Sequence, residues 1–361
     1  MKPLVYALLT ILALVPGCEN QHAKNKQAAL DRWHSARADL NLNLANQQFK
    51  AGDLKKAAAT TEDILAIEKD NVAALLLLGK IRLEQNRIDE AQQCYQRSLE
   101  LNPQNAAANY GLGVVSEKYD RPQEALVYYQ RAWQITPNHI PYVLALAETY
   151  VRLDNSGEAL SVLEQAMHTP QRSSAVYLLA GTIYASRNDY GKATLMFRQA
   201  YNLNPGDAQI SEALAFSYYH QGQVVQALPL LQELSRNASP QSQSRWVYDL
   251  AIGDCHLQLG RYHEAQRCFE QITQQDMVKS AVWVRLAQTA LLRQDISRAE
   301  TCAQRALSLE PDNHDAMAIM GHAAYKQGRH ETARKYFEQV VRQNPKDSLG
   351  CLLYTSDAAD E

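Results

Sequence analysis

The residues that could do covalent or metal chemistry in this chain are few and scattered. His263-Glu264 and His330-Glu331 each set a histidine beside a carboxylate, as a zinc hydrolase requires, but neither has a second histidine one helical turn on. Gly111-Leu112-Gly113 begins like a dinucleotide loop, then lacks the third glycine and falls in a helical pattern, where small residues serve packing. There is no phosphate-cradling glycine loop ending in Gly-Lys-Ser/Thr and no Gly-x-Ser-x-Gly nucleophile turn. The histidines do not cluster with carboxylates. Cys94, Cys255, Cys268 and Cys302 show no Cys-x-x-Cys or Cys/His spacing, so free thiols and no metal site are expected. The residues imply no enzyme, no cofactor, no metal and no small-molecule substrate. What remains is adhesive: aromatic and apolar side chains at helical spacing that could hold another molecule.

The elements that position them follow a fixed interval. Helical runs close on an apolar or polar pair followed by proline at Leu101-Asn102-Pro103, Ile135-Thr136-Pro137, Leu203-Asn204-Pro205, Leu309-Glu310-Pro311 and Gln343-Asn344-Pro345. The gaps between those prolines are 34, 68, 106 and 34, so one of them is three periods plus four residues. A period of this size marks a stacked repeat rather than one globular core. The eighth place of each unit is small: Gly79, Gly113, Ala147, Gly181, Ala215, Gly253, Ala287 and Gly321. The twentieth is alanine: Ala91, Ala125, Ala159, Ala193, Ala227, Ala265, Ala299 and Ala333. Four residues later stand Tyr95, Tyr129, Leu163, Phe197, Leu231, Phe269 and Phe337, with Ala303 as the exception. A weaker unit upstream has Ala45, Ala57 and Thr61 in those places. Small residues on a first helix would let the alanine of a second approach, the bulky side chain filling the space one turn on. The four-residue slip, at 237–244, reads as a longer loop.

This pattern resembles the tetratricopeptide repeat, with nine units over residues 38–347. The resemblance implies an all-α fold, a right-handed superhelical α-solenoid of helix–turn–helix units. It departs from the family at the fourth position, where tryptophan appears only as Trp283 and Leu75, Asn109, Val143 or Tyr177 stand elsewhere. The family lines its concave face with first helices, and that carries candidate partner-binding roles onto this chain. The fifth position gives Leu76, Tyr110, Leu144, Leu178, Glu212, Leu250, Val284 and Ala318. The ninth gives Lys80, Val114, Glu148, Thr182, Phe216, Asp254, Gln288 and His322. Further round lie Leu83, Tyr219, His220, Leu257 and Tyr325. The carboxylate-clamping lysine, asparagine and arginine of the family's chaperone-tail binders are absent, so that activity is not implied. A mostly apolar groove suits an extended or helical peptide with spaced hydrophobic anchors. The leucines would equally serve to pack first helices on second ones; Tyr110, Phe216 and Tyr219 are the better contacts, since aromatics dominate interfaces.

Residues 1–17 differ in character. Lys2 is followed by an apolar run from Leu4 to Val15, too short to span a bilayer. It ends Leu14-Val15-Pro16-Gly17-Cys18, which resembles a bacterial lipoprotein signal in which Cys18 is acylated and becomes the N-terminus. An ordinary cleaved signal is the alternative. The lipoprotein reading places the chain in the bacterial cell envelope, lipid-anchored, at the outer membrane facing the periplasm, since Glu19 is not the aspartate of an inner-membrane retention signal. Residues 18–37 read as a polar tether and an N-terminal cap helix, with Trp33 as a packing residue, and a repeat array calls for polar end caps.

At the other end Cys351–Glu361 fits no repeat and resembles translated sequencing adapter, so the native C-terminus is expected to be missing. Setting aside Asp357, Asp360 and Glu361 leaves 36 acids against 36 bases, and loss of Lys2 gives a net charge of −1. No field of that size attracts nucleic acid. The partners expected are a protein or peptide, with membrane contact through the lipid alone. The function expected is a membrane-anchored scaffold for envelope assembly or export. A substrate-recruiting region of an enzyme whose catalytic domain lies further on is the alternative, and a structural homo-oligomer is a third reading.

Overall fold

A computed structural model describes residues 15–239, 242–273 and 279–343, with side chains from Lys24 onward, Asp31 and Gln343 excepted. The expected signal residues 1–14 and the adapter-like tail 351–361 lie outside the described residues. Cys18 lies on described backbone but ahead of the described side chains. Among the described residues every regular element is a helix. They pair into nine hairpins, divided between two compact units, one up to Arg172 and one from Ser173.

The first unit holds α1 (Val15–Lys50) with α2 (Leu54–Ile67), α3 (Val72–Glu84) with α4 (Ile88–Leu101), α5 (Ala106–Lys118) with α6 (Pro122–Ile135), and α7 (Ile140–Arg152) with α8 (Ser156–Met167). The second holds α9 (Ser174–Ser186) with α10 (Tyr190–Leu203), α11 (Ala208–His220) with α12 (Val224–Asn237), and α13 (Gln243–Gln258) with α14 (Tyr262–Thr273). It continues with α15 (Ser280–Leu292) and α16 (Ile296–Leu309), then α17 (His314–Lys326) and α18 (His330–Gln343). Within each unit a hairpin packs on the next, the second helix of one meeting the first helix of its successor.

Local chemistry sets the repeat. The prolines at 103, 137, 205 and 311 disfavour the helical region for the residue before them, and α4, α6, α10 and α16 end on Asn102, Thr136, Asn204 and Glu310 with φ between −137° and −147°. The hairpin turns place one residue in the left-handed region at the fifteenth position: Gly52, Asn86, Asp120, Asp154, Asn188, Gly222, Gly260, Gln294 and Gly328. Glycine, asparagine and aspartate tolerate that conformation, and Gln294, at φ 62°, is the strained member. Side chains of Asn71, Asn105, Asp207, Ser242 and Asn313 cap the next helix by accepting backbone N–H bonds.

The interior explains the small eighth position more sharply than close approach of the alanine. A Cβ on Gly79 would stand 2.7 Å from Tyr95, one on Gly181 2.5 Å from Phe197, and one on Gly321 2.6 Å from Phe337. The ring at the twenty-fourth position sits where that Cβ would be. Accordingly glycine at eight accompanies an aromatic at twenty-four (Gly79 with Tyr95, Gly113 with Tyr129, Gly181 with Phe197, Gly253 with Phe269, Gly321 with Phe337). Alanine at eight accompanies Leu163, Leu231 or Ala303. The partners are wholly or almost wholly buried.

Two expectations change. The slip does not simply lengthen a loop: α13 starts three residues before its repeat position and runs for 16 residues, so most of the insertion becomes helix. Ser242 supplies the N-cap that allows this, its Oγ accepting from Arg245 N at 3.2 Å. The segment read as a tether is helical as well, since α1 runs unbroken for 36 residues. Its N-terminal half projects beyond its neighbours, every described side chain from Lys24 to Trp33 being exposed. Trp33 therefore does not pack into the array; it is 54% exposed, and the face of α1 that should be a polar cap carries Leu30, Leu40 and Leu44 as well.

Candidate partner-binding faces

In each unit the first helices line up on one face. On the second unit α11 presents Phe216, Tyr219 and His220 within one turn. Phe216 meets Tyr219 edge-on with centroids 6.3 Å apart, and Tyr248 of α13 at 6.1 Å. The His220 ring stacks on Tyr190 at 4.9 Å. Phe216 and Tyr219 are half-buried, resting on the core cluster around Leu231 and Ile252. Behind them lies a polar strut. Tyr219 donates its hydroxyl to Asp254 Oδ2 at 2.8 Å, and Arg285 Nε meets Asp254 Oδ1 at 2.7 Å. Arg285 also donates to Gln288 Oε1 at 3.1 Å. Burial, then the charge of Asp254, raises the Tyr219 phenol well above its ordinary value. The strut ties α11, α13 and α15 together and holds the phenol and guanidinium in fixed places.

Asp254, expected as a contact, is 8% exposed and fully engaged, so it positions Tyr219 and Arg285 rather than meeting a partner. Val284 is buried at 2% and belongs to the core. Arg285 was not anticipated. It lines a cleft of ≈130 Å³ with Leu250, Ala281, Val284, Asn313 and Asp315. Nothing in the sequence pairs Arg285 with Asp254, 31 positions away.

The first unit's face is tyrosine-rich and acidic. Tyr110 is half-buried, its ring 5.5 Å from Tyr129 and 5.1 Å from Tyr142, which in turn lies 4.0 Å from His139. Tyr129 donates its hydroxyl to Glu117 Oε2 at 2.8 Å. Glu148 is exposed, and partial desolvation, then the charge of Glu117, raises its carboxyl above the ordinary value. Among the described residues neither carboxylate is ion-paired. Glu117 shares the twelfth position with Leu83, Tyr219 and Tyr325 and was legible on that ground.

The remaining candidates divide by exposure. Leu76, Leu83, Leu178, Leu250 and Tyr325 are half-buried against neighbouring core clusters, so they serve packing and present only an edge. Val114 and Leu144 are half-buried; Lys80, Thr182 and His220 are exposed. Thr182 returns its hydroxyl to Leu178 O at 2.9 Å. Burial lowers the pKa of His322.

Two clefts escaped the sequence reading. One of ≈490 Å³ in the first unit is lined by Leu99, Pro103, Gln104, Asn109, Arg131, Gln134 and Ile135. Its repeat equivalent, ≈420 Å³, lies between Leu307, Pro311, Met317 and Arg342 in the second. Both are lined by the fourth-position residue of their repeat, Asn109 or Met317. The four internal cysteines are unpaired, and burial pushes the Cys94 and Cys255 thiols up to about 11. Among the described residues no group of three or more His, Cys, Asp or Glu could hold a metal ion.

Comparison with known proteins agrees with this geometry. Profiles described as tetratricopeptide repeat match residues 76–140, 250–299 and 284–348, and a second such profile matches 118–183 and 184–247. The chain belongs to the tetratricopeptide repeat family. Among solved structures, that of PilW, a widely conserved type IV pilus biogenesis factor, is 19% identical, with a TM-score of 0.52 over 58% of this chain and 97% of PilW. A tetratricopeptide repeat protein from Parabacteroides merdae is 16% identical, with a TM-score of 0.45 over 70% of this chain and 98% of that one. Among curated proteins, the protein adenylyltransferase fic-1 of Caenorhabditis briggsae is 33% identical over 85 residues. That match covers 24% of this chain, and the chain spans only 15% of the enzyme's length. Such repeats make protein-binding scaffolds, and the all-α solenoid found here is one.

Proposed function

We propose that the protein is a membrane-anchored scaffold of the bacterial cell envelope that holds a protein or peptide partner on its first-helix faces, for envelope assembly or export. The observation that carries the binding half is the α11 cluster. Phe216 and Tyr219 are large and half-buried, Tyr219 held by the Asp254–Arg285 strut and Phe216 packed on Tyr219 and Tyr248, which is how a preorganised aromatic anchor site is built. The partner it fits is an extended or helical peptide with an apolar anchor for Phe216 and Tyr219. On the first unit, Glu117 and Glu148 beside Tyr110, neither in an ion pair among the described residues, favour a basic side chain, which would relieve their repulsion. The anchor half rests on the sequence Leu14-Val15-Pro16-Gly17-Cys18.

Phe216→Ala combined with Tyr219→Ala tests the binding half. The variant keeps its far-UV circular dichroism and loses capture of the partner; capture at native strength refutes the face assignment. A second reading is favoured by the match to the adenylyltransferase: the array would recruit substrate for a catalytic domain. The intact locus separates the two, catalytic motifs in the same gene supporting the enzyme and repeats alone the scaffold.

A further inference from the structure

α1 has two faces of different character. One packs into the array: Ala38 and Ala45 are buried, and Leu42 and Phe49 are half-buried against the hairpins of α2 and α3. The other has no neighbour. Lys26, Leu30, Trp33, Arg37, Leu40 and Leu44 follow one another at gaps of four, three, four, three and four, which keeps them in one stripe along the helix. Leu30 is 42% exposed, Trp33 54%, Leu40 71% and Leu44 46%. Arg37 lies over the Trp33 ring, its Cζ 5.3 Å from the centroid. The charges in the stripe are all positive; the two acids of the segment, Asp31 and Asp39, fall off that spacing. In the sequence the helix follows the most apolar stretch of the chain, Leu4 to Val15.

We propose that this stripe rests on an anionic lipid bilayer, with Leu30, Trp33, Leu40 and Leu44 in the interface and Lys26 and Arg37 against headgroup phosphates. A helix with an apolar stripe, an indole and basic side chains lies in the plane of a membrane surface, the indole at headgroup depth. Among the described residues no helix is long and apolar enough to cross a bilayer, so contact of this kind lies on the surface rather than spanning it. A second copy of the chain is the less suited cover, because it would bring Lys26 and Arg37 against another stripe with no acid to meet them. Acylation of Cys18, part of the function proposed above, would add to this contact, but the stripe argument does not depend on it.

The full chain and its Trp33→Phe variant are mixed with vesicles of phosphatidylcholine, with or without one-third phosphatidylglycerol and carrying brominated acyl chains. Tryptophan emission is read, and the mass of the peptide containing Cys18 reports acylation separately. The stripe predicts quenching by anionic vesicles that Trp33→Phe largely removes, and an affinity about tenfold or more above that for neutral vesicles from two basic side chains at the surface. Leu30→Gln with Leu40→Gln, both exposed and so harmless to the fold, reduces that quenching. Trp33 left open to aqueous acrylamide in the presence of vesicles overturns the proposal, and with an acylated Cys18 it does so while the anchor stands. Lipid quenching of Trp33 without acylation supports the stripe while the anchor fails. A dimer in light scattering that Leu40→Gln dissolves assigns the stripe to a second copy and overturns the proposal.

Discussion

Replacing Gly181 with alanine puts the eighth-position rule under direct strain. The new Cβ would stand 2.5 Å from both Cδ1 and Cε1 of Phe197. Carbon atoms in contact sit at about 3.5–4.0 Å, so the ring or the α9–α10 spacing must give by about 1 Å. Phe197 is 3% exposed and has nowhere to swing. Overpacking of this kind costs about 1–3 kcal/mol, and alanine's better helix propensity returns about 1 kcal/mol. The expected net loss is up to about 2 kcal/mol, read as a lower urea midpoint followed by far-UV circular dichroism. Phe197→Leu alone leaves a void and destabilises by about 1 kcal/mol. The double variant recreates the Ala147–Leu163 pairing that the chain already uses, and should be no less stable than Phe197→Leu alone. The coupling between the two sites is then about 1 kcal/mol or more. Strict additivity would refute the packing argument.

Two further outcomes follow from the same geometry. Gln294→Gly removes a left-handed glutamine at a turn where four other repeats use glycine, and should raise the unfolding free energy by about 1 kcal/mol in a urea titration. The Cys94 and Cys255 thiols are raised to about 11 by burial, so the folded chain favours their neutral form. The stability this contributes is complete below the ordinary thiol value and is lost as pH rises through about 9 to 11. Urea midpoints should therefore fall over that range, and Cys94→Ala with Cys255→Ala should flatten the fall; an unchanged slope would contradict the assignment.

Much of the fold was legible because its causes are local. The helical region is disfavoured for a residue before proline, so Asn102 and Glu310 announced their helix ends. The turn residues Gly222 and Asn86 revealed the hairpins through their tolerance of positive φ. The glycine–aromatic pairing was also written in the chain, but its reason, a ring occupying the place of a Cβ, needed coordinates. The site was less legible. Asp254 looked like a groove contact until Arg285, from the next first helix, was seen to neutralise it. Leu76 and Leu178 sit at groove positions yet lean on the core, a division that helical register alone does not make. The slip became helix because Ser242 caps it, and Trp33 stands free because α1 outruns its neighbours.

The central claim is that a partner is held on the first-helix faces. Site-specific photo-crosslinking in the producing cell tests it, with a benzophenone side chain placed at Phe216 or Tyr110 and, for comparison, at the exposed second-helix residues Val225 and Val127. Discrete adducts from Phe216 and Tyr110 and none from Val225 and Val127 are predicted. Adducts from the second-helix positions alone would contradict it.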